Sequence, residues 1–314
     1  MALVRQKLQR NLHLPLPQLQ LGLCTPITCF PEPASNITVQ GVADFCDLEK
    51  LCVLGHGNHS IVYKVLHRPT SAIYAMKMVR EDISSPCLSH ETEILACTDS
   101  PFVVKCHGIF EPRAGEKAIL MEYMDAGTLD TVLRANGPFS ETLLAHVAHQ
   151  ALNGLSYLHS CNIVHLDIKP SNLLVSKDMN VKIGDFGVSR IVNDTSSTTY
   201  DNLGSQGTYA YMSPERLDSQ RFGSGDVCAG DVWSLGVSLW ELYVGHFPFF
   251  QAGKRPSWME VVMVICFGEF PCLPKQASRE FGNFLECCLE REPSKRWTVS
   301  QLLSHPFVCM DREP

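Results

Sequence analysis

Ile163-Val-His165-Leu-Asp167-Ile-Lys169-Pro-Ser-Asn172-Leu-Leu-Val175 alternates polar residues with apolar ones, Asp167, Lys169 and Asn172 among the polar ones. Asp, Lys and Asn at this spacing suit phosphoryl transfer. An Asp can take a hydroxyl proton, a Lys can neutralise a moving phosphate, and an Asn can hold a metal. Six residues further on, Val181-Lys-Ile-Gly-Asp185-Phe-Gly187 ends a short strand on a carboxylate beside a flexible Gly. That is a suitable place to ligate Mg²⁺ bridging phosphates.

Upstream, residues 140–160 carry Leu143, Leu144, Val147, Ala148, Ala151, Leu155 and Leu158 near a 3.6 period, so a helix leads into the loop. Further helices fit 231–243, 258–266, 279–289 and 299–304. The chain before Gly127 has a different character. Residues 51–54, 60–66, 72–79, 103–110 and 118–124 read as strands, with one helix over 87–97. The layout is a β-rich lobe followed by an α-rich lobe, an arrangement whose cleft suits a ligand.

Within the β-rich part, Gly55-His-Gly57-Asn-His-Ser60-Ile-Val62 joins two strands. Glycines there would let backbone approach phosphates closely. An ordinary hairpin turn explains them equally well, and a Rossmann reading fails because a strand follows, not a helix. Lys77 stands on the third strand in Tyr74-Ala-Met-Lys77, and a phosphate-binding Lys needs a carboxylate to hold it. Glu91 on the following helix is the candidate, although a solvated helix face would also explain it. Met212-Ser-Pro-Glu215 and Lys295-Arg296-Trp297 suggest a buried Glu215–Arg296 pair tying distant segments together.

Composition bounds the alternatives. The 314 residues carry 26 Lys+Arg against 33 Asp+Glu, a net charge of −7, which argues against a general nucleic-acid binder. No apolar run approaches the ~18 residues of a membrane span. The 14 cysteines form no Cys-x-x-Cys pattern and follow no signal peptide, so they read as reduced thiols of the cytoplasm or nucleus. The first 31 residues contain no acid, but the first Ser is Ser35, unlike a Ser-rich transit peptide. Pro15, Pro17, Pro26, Pro31 and Pro33 break any helix there, so residues 1–45 read as a flexible tail.

Each motif alone is modest; their order and spacing together are specific. Over residues 48 to about 308 the chain resembles the eukaryotic protein kinases. The resemblance implies an α+β, two-lobed kinase fold over 46–308, with an N-lobe at 46–124, a C-lobe at 125–308 and a short tail at 309–314. It implies ATP and Mg²⁺ as cofactors. Lys77, paired with Glu91, would contact the α/β-phosphates; Asp167 would be the catalytic base, and Lys169 would assist at the γ-phosphate. Asn172 and Asp185 would hold metal. Leu54, Gly55, Gly57, Ser60 and Val62 would cover the nucleotide, with Met121 as gatekeeper and Glu122 to Met124 as the adenine hinge. Leu95, His165 and Phe186 match spine positions, and Asp167-x-Lys169 resembles the Ser/Thr branch.

A closer similarity is to plant mitogen-activated protein kinase kinases, carried by Met1-Ala-Leu-Val-Arg5, Asp47-Leu-Glu-Lys50, Ser100-Pro-Phe-Val-Val-Lys-Cys-His-Gly108, Met121-Glu-Tyr-Met-Asp125, Tyr211-Met-Ser-Pro-Glu-Arg216 and Ala229-Gly-Asp-Val-Trp233. It implies a mitogen-activated protein kinase as substrate, a cascade role, an upstream activating kinase, and no nucleic-acid or membrane partner. Arg5, Lys7 and Arg10 before Leu12 and Leu14 look like a docking peptide, although a tail that happens to hold charges reads the same way.

Three positions depart from the pattern. Ser60 replaces the third Gly of the phosphate loop. Leu166 stands where most relatives carry an Arg that pairs with a loop phosphate. Of the two activation-loop phosphosites, one matches Thr198; the other falls on Gly204, with Ser205 one position off. The chain therefore looks like a divergent subgroup whose loop depends less on phosphorylation, ordered by Leu166 packing on Leu203 or Ile191. Otherwise Arg190 or Lys182 replaces the missing Arg. The rival reading is a pseudokinase scaffold, although a scaffold has no need of Lys77, Glu91, Asp167, Asn172 and Asp185.

Overall fold

The computed structural model describes residues 44–57, 60–80, 87–192, 207–223, 226–250, 256–270 and 275–309. Strands β1 (Leu48–His56), β2 (Ser60–His67), β3 (Ala72–Arg80), β4 (Cys106–Arg113) and β5 (Glu116–Glu122) form an antiparallel sheet in the order β1-β2-β3-β5-β4. Strand alternation sorts its residues. Val65, Met76, Ala118 and Leu120 bury one face together with Tyr63, Tyr74 and Met78. The other parity turns Val62, Lys77 and Ile119 the opposite way, and these are register neighbours. Helix α1 (Cys87–Cys97) follows β3.

Beyond the sheet the described chain is mainly helical. Its principal helices are α2 (Leu129–Asn136), α3 (Glu141–Ser160), the short α4 (Pro214–Leu217) and α5 (Ser219–Phe222), α6 (Ala229–Val244), α7 (Trp258–Val262), α8 (Arg279–Cys288), α9 (Val299–Leu303) and α10 (Pro306–Cys309). Ser140 caps α3 by accepting the Leu143 N–H at 3.3 Å, and Thr128 caps α2 from Thr131 at 3.1 Å. Helix α6 is buried along almost its whole length, from Gly230 to Trp240. Between α3 and α4 run the short strands β6 (Ile163–Val164), β7 (Leu173–Val175), β8 (Val181–Ile183) and β9 (Arg190–Ile191), paired β6–β9 and β7–β8.

Four sequence expectations need correcting. The strand expected at 103–110 begins only at Cys106, because Val103 and Val104 join β8 instead: Val104 N–H donates to Ile183 O and Ile183 N–H to Phe102 O, both at 2.9 Å. The helix expected over 258–266 ends as α at Val262 and widens into a π turn over Met263–Phe267, where Arg291 takes the Ile265 and Gly268 carbonyls. Helix α2 was not foreseen; eight residues with two buried anchors, Leu129 and Leu133, give little periodicity. The tail assigned to 1–45 overlaps an ordered turn: Asp44 caps Phe45–Asp47 through the Cys46 N–H, and the Phe45 ring lies 5.9 Å from Phe110.

Cys106, Cys266 and Cys288 are buried free thiols, and Cys46 and Cys52 are exposed ones. Among the described residues no helix is long and apolar enough to cross a membrane.

Candidate active site

Register places Lys77 opposite Val62 on β2 and Ile119 on β5. From there its ammonium donates to Glu91 Oε1 at 2.6 Å and to Asp185 Oδ1 at 2.8 Å. The two carboxylates differ in access: the Glu91 side chain is 5% exposed, that of Asp185 51%. Burial alone would lower the Lys77 pKa, but Asp185 and Glu91 outweigh it and hold the amine charged. Burial pushes the Glu91 carboxyl up, against the pull of Lys77. Gly187 adjoins the trio, since a Cβ there would meet Asp185 Oδ1 at 3.5 Å and Lys77 Nζ at 3.8 Å.

A second group forms in the loop after β6. Asp167 Oδ2 accepts from Lys169 Nζ at 2.7 Å and Asn172 Nδ2 at 3.0 Å; Asp167 Oδ1 accepts the Thr208 N–H at 2.8 Å. Lys169 also donates to Thr208 Oγ1 at 2.6 Å. The loops of Asn172 and Asp185 meet where Gly184 N–H donates to Asn172 O at 2.9 Å. Asn172 spends its amide nitrogen on Asp167, leaving its amide oxygen as a donor atom toward a cation. Carboxylate and amide oxygens are hard ligands, and they fit Mg²⁺ completed by water and phosphate.

Two backbones here are held in the left-handed region, Leu166 at φ 67° and Asp185 at φ 64°. Asp231, fully enclosed on α6, anchors the first. Its Oδ2 accepts the His165 N–H at 2.9 Å and its Oδ1 the Leu166 N–H at 2.8 Å, with His159 Nε2 2.9 Å away. Burial alone would raise the Asp231 pKa, but bonds from His159 and the His165 backbone outweigh it and hold it below the ordinary carboxylate range. A depressed folded pKa gives stability that is fully present above the unfolded value. It is lost as pH falls through the folded one. His165 Nε2 lies 3.1 Å from the Gly184 carbonyl, and its ring meets Phe186 edge-on at 5.2 Å. Leu95 and Phe186 share the main core.

The remaining expectations fare differently. Leu166 is buried with Val164, Val192 and Val227 rather than with Ile191; Leu203 lies outside the described residues. Lys182 is engaged by Glu122 at 2.7 Å, and Arg190 donates to the Val188 and Ser189 carbonyls. The Glu122 side chain also accepts the Lys105 N–H at 2.7 Å, and the Glu122 N–H donates to the Lys105 carbonyl at 2.9 Å. Met121 is half-buried and Met124 buried, while Leu54 is exposed beside the Gly55 turn. Gly57 donates its N–H to Ser60 O at 2.8 Å, closing that turn. Thr198, Gly204, Ser205, Arg5, Lys7, Arg10, Leu12 and Leu14 lie outside the described residues. Nothing local in the sequence marks Asp231 or Thr208, for an acid in the first turn of a helix, where Asp231 stands, is an ordinary feature.

A protein kinase domain model matches residues 48–308 of the chain. The chain belongs to the protein kinase family. Mitogen-activated protein kinase kinase 9 of Arabidopsis thaliana is 51% identical, over 99% of this chain and 100% of its own length. Mitogen-activated protein kinase kinase 7 of that plant is 51% identical over 98% and 99%, and kinase kinase 10 is 40% identical over 98% and 99%. The function is accordingly that of a mitogen-activated protein kinase kinase in signalling. Protein kinases of this family use ATP and Mg²⁺. The scaffold alternative gains no support, for this kinase keeps Lys77, Glu91, Asp167, Asn172 and Asp185 and engages each in the contacts above.

Proposed function

We propose that this kinase moves the ATP γ-phosphate to a Thr and a Tyr in the activation loop of a downstream mitogen-activated protein kinase. The observation that carries the reading is Lys77, bonded at once to Glu91 and Asp185. It joins the sheet, α1 and the loop after β8 through one charge. Asp167 accepts the proton of the incoming hydroxyl, and Lys169 screens charge on the phosphoryl oxygens. Lys77, held by Glu91, takes the α/β-phosphates. Leu54 and Val62 cover the adenine, Met121, Glu122 and Met124 line its hinge, and the Gly55, Gly57 and Ser60 turn admits backbone close to phosphate. Asn172 and Asp185 would hold Mg²⁺, which when bound neutralises charge across the phosphates. Mass spectrometry of a mitogen-activated protein kinase after incubation should find loop phospho-Thr and phospho-Tyr. Equal phosphorylation by the Asp167→Asn variant would sink the assignment.

Arg5, Lys7 and Arg10, followed by Leu12 and Leu14, are proposed to dock that substrate. An extended peptide points alternate leucines the same way, toward apolar pockets beside an acidic patch. Deleting residues 1–16 should raise KM for the intact protein substrate and leave KM for ATP alone; an unchanged protein KM rejects the docking role. An upstream kinase acting on Thr198 or Ser205, in the cytoplasm or nucleus, completes the proposed cascade.

The apolar setting of Leu166 bears on that control. With Leu166 among Val164, Val192 and Val227, a loop phosphate has no arginine at this position to receive it. Thr198→Ala, Ser205→Ala, the double variant and phosphatase-treated wild type should therefore all keep most of the transfer rate of untreated wild type. Near-complete loss in any of them would show that phosphorylation still controls the switch.

A further inference from the structure

We propose that Arg216 is a positioning residue for Asp167, acting through the backbone of Leu166. The inference rests on the reading of Asp167 as the base. Residue 166 has to hold a left-handed backbone that leucine rarely adopts, and it does so immediately before Asp167. Three restraints meet on it. Its N–H is taken by Asp231 at 2.8 Å, its side chain is enclosed by Val164, Val192 and Val227, and its carbonyl accepts Arg216 Nη1 at 2.7 Å. Removing the third leaves one end of a strained peptide unheld, and a peptide that rotates at residue 166 carries the Asp167 carboxylate with it.

The same bond reaches the segment that faces Asp167. A Cβ on Gly207 would lie 2.7 Å from Leu166 O and 3.4 Å from Arg216 Nη2, so the Gly207 backbone rests on this junction with φ 107°. The next residue, Thr208, donates its N–H to Asp167 and accepts from Lys169 on its hydroxyl oxygen. Arg216 thus stands where the loop of Asp167 and the segment of Gly207 and Thr208 are set against each other. Its own place is fixed by its chain neighbour. Glu215, in the same turn of α4, is gripped by Arg296 at 2.7 and 2.9 Å with neither side chain exposed. Neither Lys182 nor Arg190 supplies this bond: Lys182 donates to Glu122, and Arg190 donates to the Val188 and Ser189 carbonyls. The guanidinium at Leu166 comes from a residue fifty positions away.

The test uses the full-length kinase with Arg216→Met and Arg216→Ala, which remove the donor but differ in how much packing they remove, and Arg216→Lys. In whichever truncated variant folds, kcat should fall about tenfold or more with KM for ATP nearly unchanged, the cost of a small misplacement of a reacting group. Arg216→Lys should recover part of the rate. Added guanidinium ion, at concentrations that leave wild type unaffected, should restore the Ala variant. A wild-type kcat in a truncated variant overturns the proposal. So does a loss confined to KM for ATP, or a kcat loss that neither Lys nor guanidinium relieves. Wild-type transfer by Asp167→Asn would instead overturn the reading of Asp167 itself, whatever Arg216 does.

Discussion

Asp167→Asn should slow phosphotransfer by about 10²- to 10⁴-fold, the usual contribution of a positioned proton acceptor, without altering the fold. Asn has nearly the same shape and can still accept the Thr208 N–H that Asp167 now takes at 2.8 Å. What it loses is charge. Asn cannot take a proton from a hydroxyl, and Lys169, now 2.7 Å from the carboxylate, loses its counter-ion. Single-turnover transfer beside circular dichroism of the same preparations separates the two effects. A rate near wild type would remove Asp167 from the chemistry. A rate loss accompanied by unfolding would show that the carboxylate holds the loop rather than the proton.

Glu215→Ala should have the largest effect on stability. Both members of the Glu215–Arg296 pair are fully buried, and Arg296 also donates to the Ala229 and Glu290 carbonyls and lies over the Trp233 ring at 5.2 Å. Removing the carboxylate leaves an uncompensated charge in the interior, a loss of about 3–5 kcal/mol. Thermal unfolding should come on the order of 10 °C earlier, given a few degrees per kcal/mol for a domain of this size. Replacing both residues should cost less than the sum of the two single changes, because no orphan charge remains. An unchanged melting temperature, or strict additivity in the double variant, would contradict this account.

How much of this was readable in the chain follows from the reach of each signal. Alternation over residues 60–66 and 72–79 is local, and β2 and β3 extend only one residue beyond these ranges. The 3.6 period of α3 is equally local, and its Ser140 cap stands where the pattern begins. The Glu215–Arg296 pair was legible because an acid and a base each stand in a specific short motif. Other features are set by partners far off in sequence. Val103 and Val104 look like strand, yet β8 claims them from eighty residues downstream. The grip of Asp231 on the His165 and Leu166 amides, and of Arg216 on the Leu166 carbonyl, joins segments that share no pattern. Leu166 itself was expected to be buried, but not where: Val227 belongs to the turn before α6, and nothing local points there.

The burial of the cysteines gives the kinase a built-in set of chemical reporters. Burial raises the pKa of the Cys106 and Cys288 thiols and pushes that of Cys266 up to about 11, so in the closed state they present almost no thiolate to an alkylating reagent. Cys46 and Cys52, at the surface, are accessible without opening. Each slow sulfur becomes alkylated only when its own surroundings part: Cys106 when β4 leaves the sheet, Cys266 when the π turn lifts, Cys288 when α8 comes away from the core. The order in which these masses appear would chart, region by region, how the molecule comes apart.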